Sequence, residues 1–357
     1  MNKRFGSVRE DGFLYVFEHF VDAFKWPLII IAAALLIYAP HMKFMSPANM
    51  RISVMIITYA ILGMGLNVLT GYTGLVSLGH AGFYGIGAYT CALLMTKMNW
   101  PFWPALLMAG VLAAAVGFLL GLPSLRLSGT YLSIVTLGFC EIVQMILKQW
   151  ESVTNGNYGI RNIPKPVLFG VTLDMKNGGI YYLALTMCVL TGLACLAIKN
   201  SKSGRAFMAI RDDELAATMM GVRTSRYKIR AFVISAFITG LGGGLYCVIS
   251  SNFIEPSGFV FNTSILILSV VIVGGLGTIR GMVFGSALLW LFPQVFRFLN
   301  EWRFVIYGVL LVLMMRFRPQ GALGWQSTLP YRLSRQTRSL MRERGLDKYI
   351  PEKGKGA

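Results

Sequence analysis

Few side chains in this sequence can take part in chemistry, and they are widely spaced. His19, His41 and His80 fall on three different segments, and Glu141 stands alone inside an apolar run. An enzyme needs a nucleophile beside a base, or a cluster of metal ligands, and no such constellation is present. The cysteines Cys91, Cys140, Cys188, Cys195 and Cys247 each sit in apolar sequence, without a CxxC pair or a neighbouring His. They read as small packing residues, with neither a metal site nor a disulfide framework. No Gly-rich loop followed by Lys-Ser or Lys-Thr occurs, so the chain has no ATP-hydrolysing phosphate loop of its own. No catalytic residue, metal or cofactor is expected. What remains is polarity at membrane depth: Glu141, and the pair Ser77 and His80. An intramembrane carboxylate is costly and marks a functional site, unless it is a protonated or paired structural group. A lone His is ordinarily a hydrogen-bonded structural group.

The elements that must position these residues are membrane helices. Apolar residues make up 55% of the 357-residue chain and charged residues 13%, against about 25% charged in soluble domains. Mean hydropathy is +0.61. This composition excludes a soluble enzyme, a disordered chain and a disulfide-stapled secreted domain. Apolar runs of bilayer-spanning length predict an all-α polytopic membrane protein with about ten transmembrane helices. They fall at Pro27–Ala39, Ile52–Leu69, Ala81–Thr96, Pro101–Leu122, Thr130–Leu147, Ile180–Ile198, Ala231–Ser250, Asn262–Leu276, Met282–Leu299 and Arg303–Met315. The first and the last three are short, as tilted, broken or partly inserted helices would be.

The net charge of +18 is accounted for by membrane orientation. Lys199–Arg230 carries eight basic against three acidic residues, and Arg316–Ala357 ten against three. Both belong in the cytoplasm, and four spans separate them. Counting outward puts both termini inside, with 24 basic residues inside and nine outside. No nucleic-acid partner is needed to explain the charge. Residues 1–26 contain Glu10, Asp11, Glu18 and Asp22, unlike a signal peptide. Phe13, Phe17, Phe20 and Phe24 instead suit a helix lying in the interface. Residues 27–318 form the membrane domain, and 319–357 a basic cytoplasmic tail whose arginines attract anionic headgroups or stay solvated.

Three segments stand out. Leu69–Tyr89 contains Gly74, Gly79 and four more glycines, and a helix broken at membrane depth requires cover by protein or a cavity. Plain helix packing by small residues is the simpler use of any one glycine. In the basic loop 199–230, Asp212 is the expected N-cap of a short helix, Asp213 and Glu214 suit its first turn, and Gly221 supplies the stop. Its Leu215, Ala216, Ala217, Met219 and Met220 have no role in a solvated loop. They suit docking into a partner's groove, or packing on the chain's own surface. The third segment, Val273–Gly285, places Gly274, Gly275, Gly277 and Gly281 at a sharp cytoplasmic re-entry anchored by Arg280.

Gly74-Leu-Val-Ser-Leu-Gly-His-Ala-Gly-Phe, Ala209-Ile-Arg-Asp-Asp-Glu-Leu-Ala-Ala with Gly221, and Gly274-Gly-Leu-Gly-Thr-Ile-Arg-Gly281 occur in an order that resembles LivM-type permease subunits of bacterial ABC importers for branched-chain amino acids. The likeness covers about Ile52 to Gly324. Departures are Asn155-Gly-Asn where the family usually reads Gly-Gly, Met282 for a Pro, and Glu255 for a Ser before Pro256. The resemblance implies a type II importer fold in the bacterial inner membrane, working with a LivH-like second permease, two ABC ATPase subunits and a periplasmic amino-acid-binding protein. It also implies that Arg205–Arg223 holds the coupling helix, with Arg205, Ala209, Arg211, Asp212, Asp213, Glu214, Ala216, Ala217 and Gly221 at the ATPase contact. The translocation path would include Ser77, His80 and Glu141. The alternatives are a urea or short-amide ABC importer, and a proton-coupled secondary transporter using Glu141 and His80.

Overall fold

The computed structural model describes residues 46–123, 129–168, 170–175, 177–250, 253–295, 303–317 and 321–323. The expected first span, the interfacial N-terminal helix and all of the basic tail except residues 321–323 lie outside the described residues. Within them the chain is mostly helical. In order come α1 (Pro47–Leu66), α2 (His80–Lys97), α3 (Phe102–Gly121), α4 (Thr130–Gln149), α5 (Glu151–Thr154) and α6 (Gly179–Asn200). Then follow α7 (Lys202–Asp212), α8 (Glu214–Met219), α9 (Thr224–Ile249), α10 (Phe261–Gly274), α11 (Ile279–Val295) and α12 (Arg303–Phe317).

Five of these helices are long and apolar enough to cross a bilayer: α1 with its continuation to Tyr72, α3, α4, α6 and α9. The apolar α10 and α11 are shorter. The five differ in position. The membrane-length windows of α1 and α9 are 72% buried, against 39% for α3, α4 and α6, so α1 and α9 form the centre. In lipid no hydrophobic gain drives helix against helix, and close packing of small residues takes over. The run Gly240, Gly242, Gly243, Gly244 of α9 does this: a Cβ on Gly87 of α2 would collide with the Gly240 carbonyl, and one on Gly243 with the Tyr84 carbonyl.

On the side expected to face outward, Tyr84, Tyr246 and Phe259 gather with ring centroids 5.0–6.0 Å apart. Two small antiparallel ladders decorate the same side. β1 (Ile160–Arg161) pairs with β4 (Phe253–Ile254), and β2 (Val167–Leu168) with β3 (Val171–Thr172). Strands of two residues carry no periodicity, which is why the sequence shows only a turn-rich segment there. The largest boundary difference is at α9, which begins at Thr224 although the apolar run begins at Ala231. The extra two turns are basic and project beyond the apolar stretch.

Candidate functional site

Three segments singled out in the sequence meet at one place. α1 does not end at Leu66 but widens into a π-helical turn, Asn67–Tyr72, buried throughout. After it the chain runs without helix from Gly74, whose φ of +73° favours glycine, to His80, where α2 begins. Such a break needs its backbone groups satisfied by neighbours. Thr70 donates to the Leu75 carbonyl at 3.0 Å and Ser133 of α4 to the Val76 carbonyl at 3.2 Å. The Leu78 N–H donates to Thr136 Oγ1 at 3.0 Å, and the Ala81 N–H to Ser264 Oγ of α10 at 2.9 Å. Gly79 is seated so tightly that a Cβ would strike the Thr136 carbonyl.

Ser77 and His80 close the upper part of this break. His80 is fully buried. Its Nδ1 lies 3.1 Å from Ser77 Oγ and its Nε2 2.7 Å from Ser235 Oγ of α9. Ser235 in turn donates to the Gly65 carbonyl at 2.6 Å. Its hydroxyl proton being committed there, Ser235 accepts from His80 Nε2–H, and in the neutral ring Nδ1 accepts from Ser77. The ring bridges the start of α2 to α9 and α1 through both of its nitrogens. Glu141 is not part of this cluster. It lies on the exposed side of α4 with Tyr131, Ile134, Ile142 and Met145.

The lower part of the break is held from the basic loop. α7 is capped by Ser201, whose side chain accepts from the Gly204 N–H at 3.2 Å. It packs Ala206, Phe207 and Ile210 inward. From its last turn the Arg211 guanidinium donates to the Gly71 carbonyl at 2.5 Å, with its Cγ 3.3 Å from where a Gly74 Cβ would lie. The third segment arrives beside it. The Gly277 N–H donates to Asn67 Oδ1 at 2.8 Å, and Lys199 Nζ to the Gly277 carbonyl at 3.4 Å. Gly275 and Gly277 have φ of +119° and +82°, while Gly274 and Gly281 approach so closely that a Cβ on either would strike the other's carbonyl oxygen.

Beyond α7, the N-cap of α8 is Asp213, not Asp212. Asp212 completes α7, so the extended cap torsions (φ −159°, ψ 113°) fall on Asp213, whose carboxylate accepts from the Ala216 N–H at 2.9 Å. Glu214 pairs with Lys228 of α9 at 2.5 Å, the lysine buried and the glutamate half-exposed. Gly221 takes φ +84° after the helix. Ala217 faces inward, whereas Ala216 is exposed and Leu215, Met219 and Met220 are 69%, 78% and 85% exposed. Arg205 and Ala209 lie on α7, with Arg205 exposed and donating to the Asn200 carbonyl at 3.3 Å.

Ser235, Ser264 and Lys228 were not singled out from the sequence. Ser235 and Ser264 act across 155 and 183 residues, and Lys228 reads as one more cytoplasmic cation. Among the described residues no three His, Cys, Asp or Glu side chains gather as metal ligands.

Residues 49–315 match the family model described as branched-chain amino acid transport system / permease component. The chain is 40% identical, over 81% of its length and 73% of the other's, to the high-affinity branched-chain amino acid transport system permease protein LivM of Salmonella typhimurium. It is 39% identical to LivM of Escherichia coli over 82% and 74%. It is also 25% identical to the LivH permease protein of Escherichia coli, over 75% and 91%. No solved structure matches the chain significantly.

Proposed function

The chain belongs to the family of branched-chain amino acid transport permease components, and from that premise we propose that it is one permease of an ATP-driven, binding-protein-dependent importer of leucine, isoleucine and valine. Its expected partners are a LivH-like second permease, two ABC ATPase subunits and a periplasmic amino-acid-binding protein. The proposal includes about ten spans in a type II importer fold in the bacterial inner membrane, with both termini cytoplasmic. It divides the chain into an interfacial helix (1–26), a permease domain (27–318, coupling loop 199–230) and a basic tail (319–357).

One observation carries the mechanism. α8 presents Leu215, Ala216, Met219 and Met220 to the outside, while adjoining α7 is bonded through Arg211 to the break after α1. An ATPase subunit seated on α8 would move α7, and Arg211 would carry that displacement to Gly71 and to the Gly277 turn beside it. The break between Gly71 and His80 would then change shape, and the path between the two permeases would open to one side or the other. Ser77 and His80 would act here as the hinge's upper fastening, and Glu141 as a polar group on the face turned to the second permease.

ATP coupling is favoured over proton coupling by the His80 bridge, whose two nitrogens are both engaged, with Glu141 on another face. Family membership favours branched-chain amino acids over urea or short amides. The test is uptake by the complete complex in proteoliposomes, with radiolabelled leucine, valine and urea as competing solutes. ATP-dependent leucine and valine uptake supports the reading; urea uptake, or uphill transport by this chain alone without nucleotide, overturns it.

A further inference from the structure

A cleft of about 520 Å³ opens between α7 and the basic start of α9. Its wall includes Lys202, Arg205, Arg223, Arg226 and Arg230, together with Tyr227, and no acidic residue. All five cations are exposed, and none pairs with a carboxylate among the described residues; the neighbouring Glu214 is taken by Lys228. Arg230 leans on the Tyr227 ring at 5.3 Å. Five unneutralised cations around one concavity call for an anion.

The position of the cleft narrows the choice. Lys202 follows α6 by two residues, and Arg230 immediately precedes the apolar run of α9, so the cleft lies where the spans leave the hydrocarbon. A second cavity, an apolar groove of about 650 Å³, continues along α9 and is walled by α3 and α6. It begins at Val233, one helical turn below Arg230 on α9, and at Ile198 near the end of α6, and continues past Ala194, Leu190 and Phe237. From Ile198 to Met187 the groove is about 16 Å long at 1.5 Å per residue, enough for most of an acyl chain. A basic concavity at headgroup height above an apolar groove has the layout of one amphiphile.

We propose that this cleft and groove form a binding site for an anionic phospholipid, with the phosphate held by Lys202, Arg226 and Arg230 and one acyl chain lying between α3, α6 and α9. An acidic peptide would use the cleft but have no need of the groove; a neutral lipid would use the groove and leave the cations unpaired. With the topology proposed above the site lies in the inner leaflet, and the lipid readout does not depend on transport.

The assembled importer, purified in mild detergent, would be titrated with phosphatidylglycerol or phosphatidylcholine of identical chains, and bound lipid counted by native mass spectrometry. Phosphatidylglycerol should be retained preferentially. The double variant R226Q/R230Q should weaken it about tenfold or more without affecting phosphatidylcholine, and Ala194→Trp, which fills the groove, should weaken both. Size-exclusion profiles of the variants establish that they assemble. Equal retention of the two lipids by the unmodified complex, or no loss in R226Q/R230Q, overturns the proposal. Displacement of the lipid by soluble glycerol 3-phosphate overturns it in favour of a phosphate site. Binding seen only after the ATPase subunits are removed overturns it in favour of an ATPase seat.

Discussion

Arg211 and Gly71, 140 residues apart in sequence, are joined by a 2.5 Å hydrogen bond from the guanidinium to the backbone carbonyl. The bond spans two kinds of structure. Arg211 closes a cytoplasmic helix, and Gly71 lies in the π-helical turn where a central span gives way to irregular chain. A carbonyl freed by such a turn must find a donor, and here the donor belongs to the element proposed to receive the ATPase.

Replacing Arg211 with Ala removes a charge-assisted bond worth about 1.5–3 kcal/mol and the stem that rests on Gly74. We expect assembly and basal ATP hydrolysis to survive while leucine uptake falls about tenfold or more, with Arg211→Lys intermediate. Uptake and hydrolysis assayed on the same proteoliposomes check this. A parallel loss of both would point to misassembly instead.

His80→Ala should act through stability. It deletes two hydrogen bonds and opens a cavity between α2 and α9, a loss of about 3–5 kcal/mol by analogy with large-to-small core changes. The thermal midpoint of the detergent-purified complex should drop, and that of Glu141→Gln, on an exposed face, should stay close to the parent. Because the buried ring has both nitrogens engaged by serine hydroxyls, uptake should not follow a His titration between about pH 6 and 8. A titration abolished by His80→Gln would revive the proton-carrier reading.

Gly274→Ala and Gly281→Ala should each force α10 and α11 apart, since the added methyl meets the opposite backbone carbonyl and no side chain can give way. Overpacking of this kind costs about 1–3 kcal/mol. Reduced membrane levels in immunoblots are expected for both, and Gly308→Ala on α12, where nothing lies within 4 Å, serves as the silent control.

Glu214→Ala should be more harmful than Asp213→Ala. The latter loses a helix cap, about 1 kcal/mol; the former strands the buried Lys228 without its counter-charge. The second change Lys228→Met should recover part of the loss in E214A. A double-mutant cycle on thermal midpoints that shows additivity would mean that the pair is not coupled.

Much of the architecture was legible because hydropathy dominates it. Runs such as Pro101–Leu122 and Ile180–Ile198 lie within two residues of α3 and α6. The early start of α9 was hidden because Arg226, Lys228 and Arg230 interrupt the apolar signal, although helices continue readily beyond a membrane surface. The cap at α8 was displaced by one residue because two aspartates stand side by side, and only the existence of α7 decides which is extended. The glycine-rich segments were visible as composition, but their meeting was not. Nothing local to Gly71 announces Arg211, and nothing local to His80 announces Ser235.

The measurement that bears most directly on the coupling mechanism is site-specific cross-linking from α8 in the assembled importer. With Met219→Cys in place, a thiol-reactive cross-linker should join this chain to an ATPase subunit, and a membrane-impermeant maleimide added to intact cells should leave the position unlabelled. Opening the cells should expose it, and prior assembly with the ATPase should shield it. Labelling from the periplasmic side of intact cells, or an assembled complex in which position 219 reacts freely and captures no ATPase, would contradict the proposed lever.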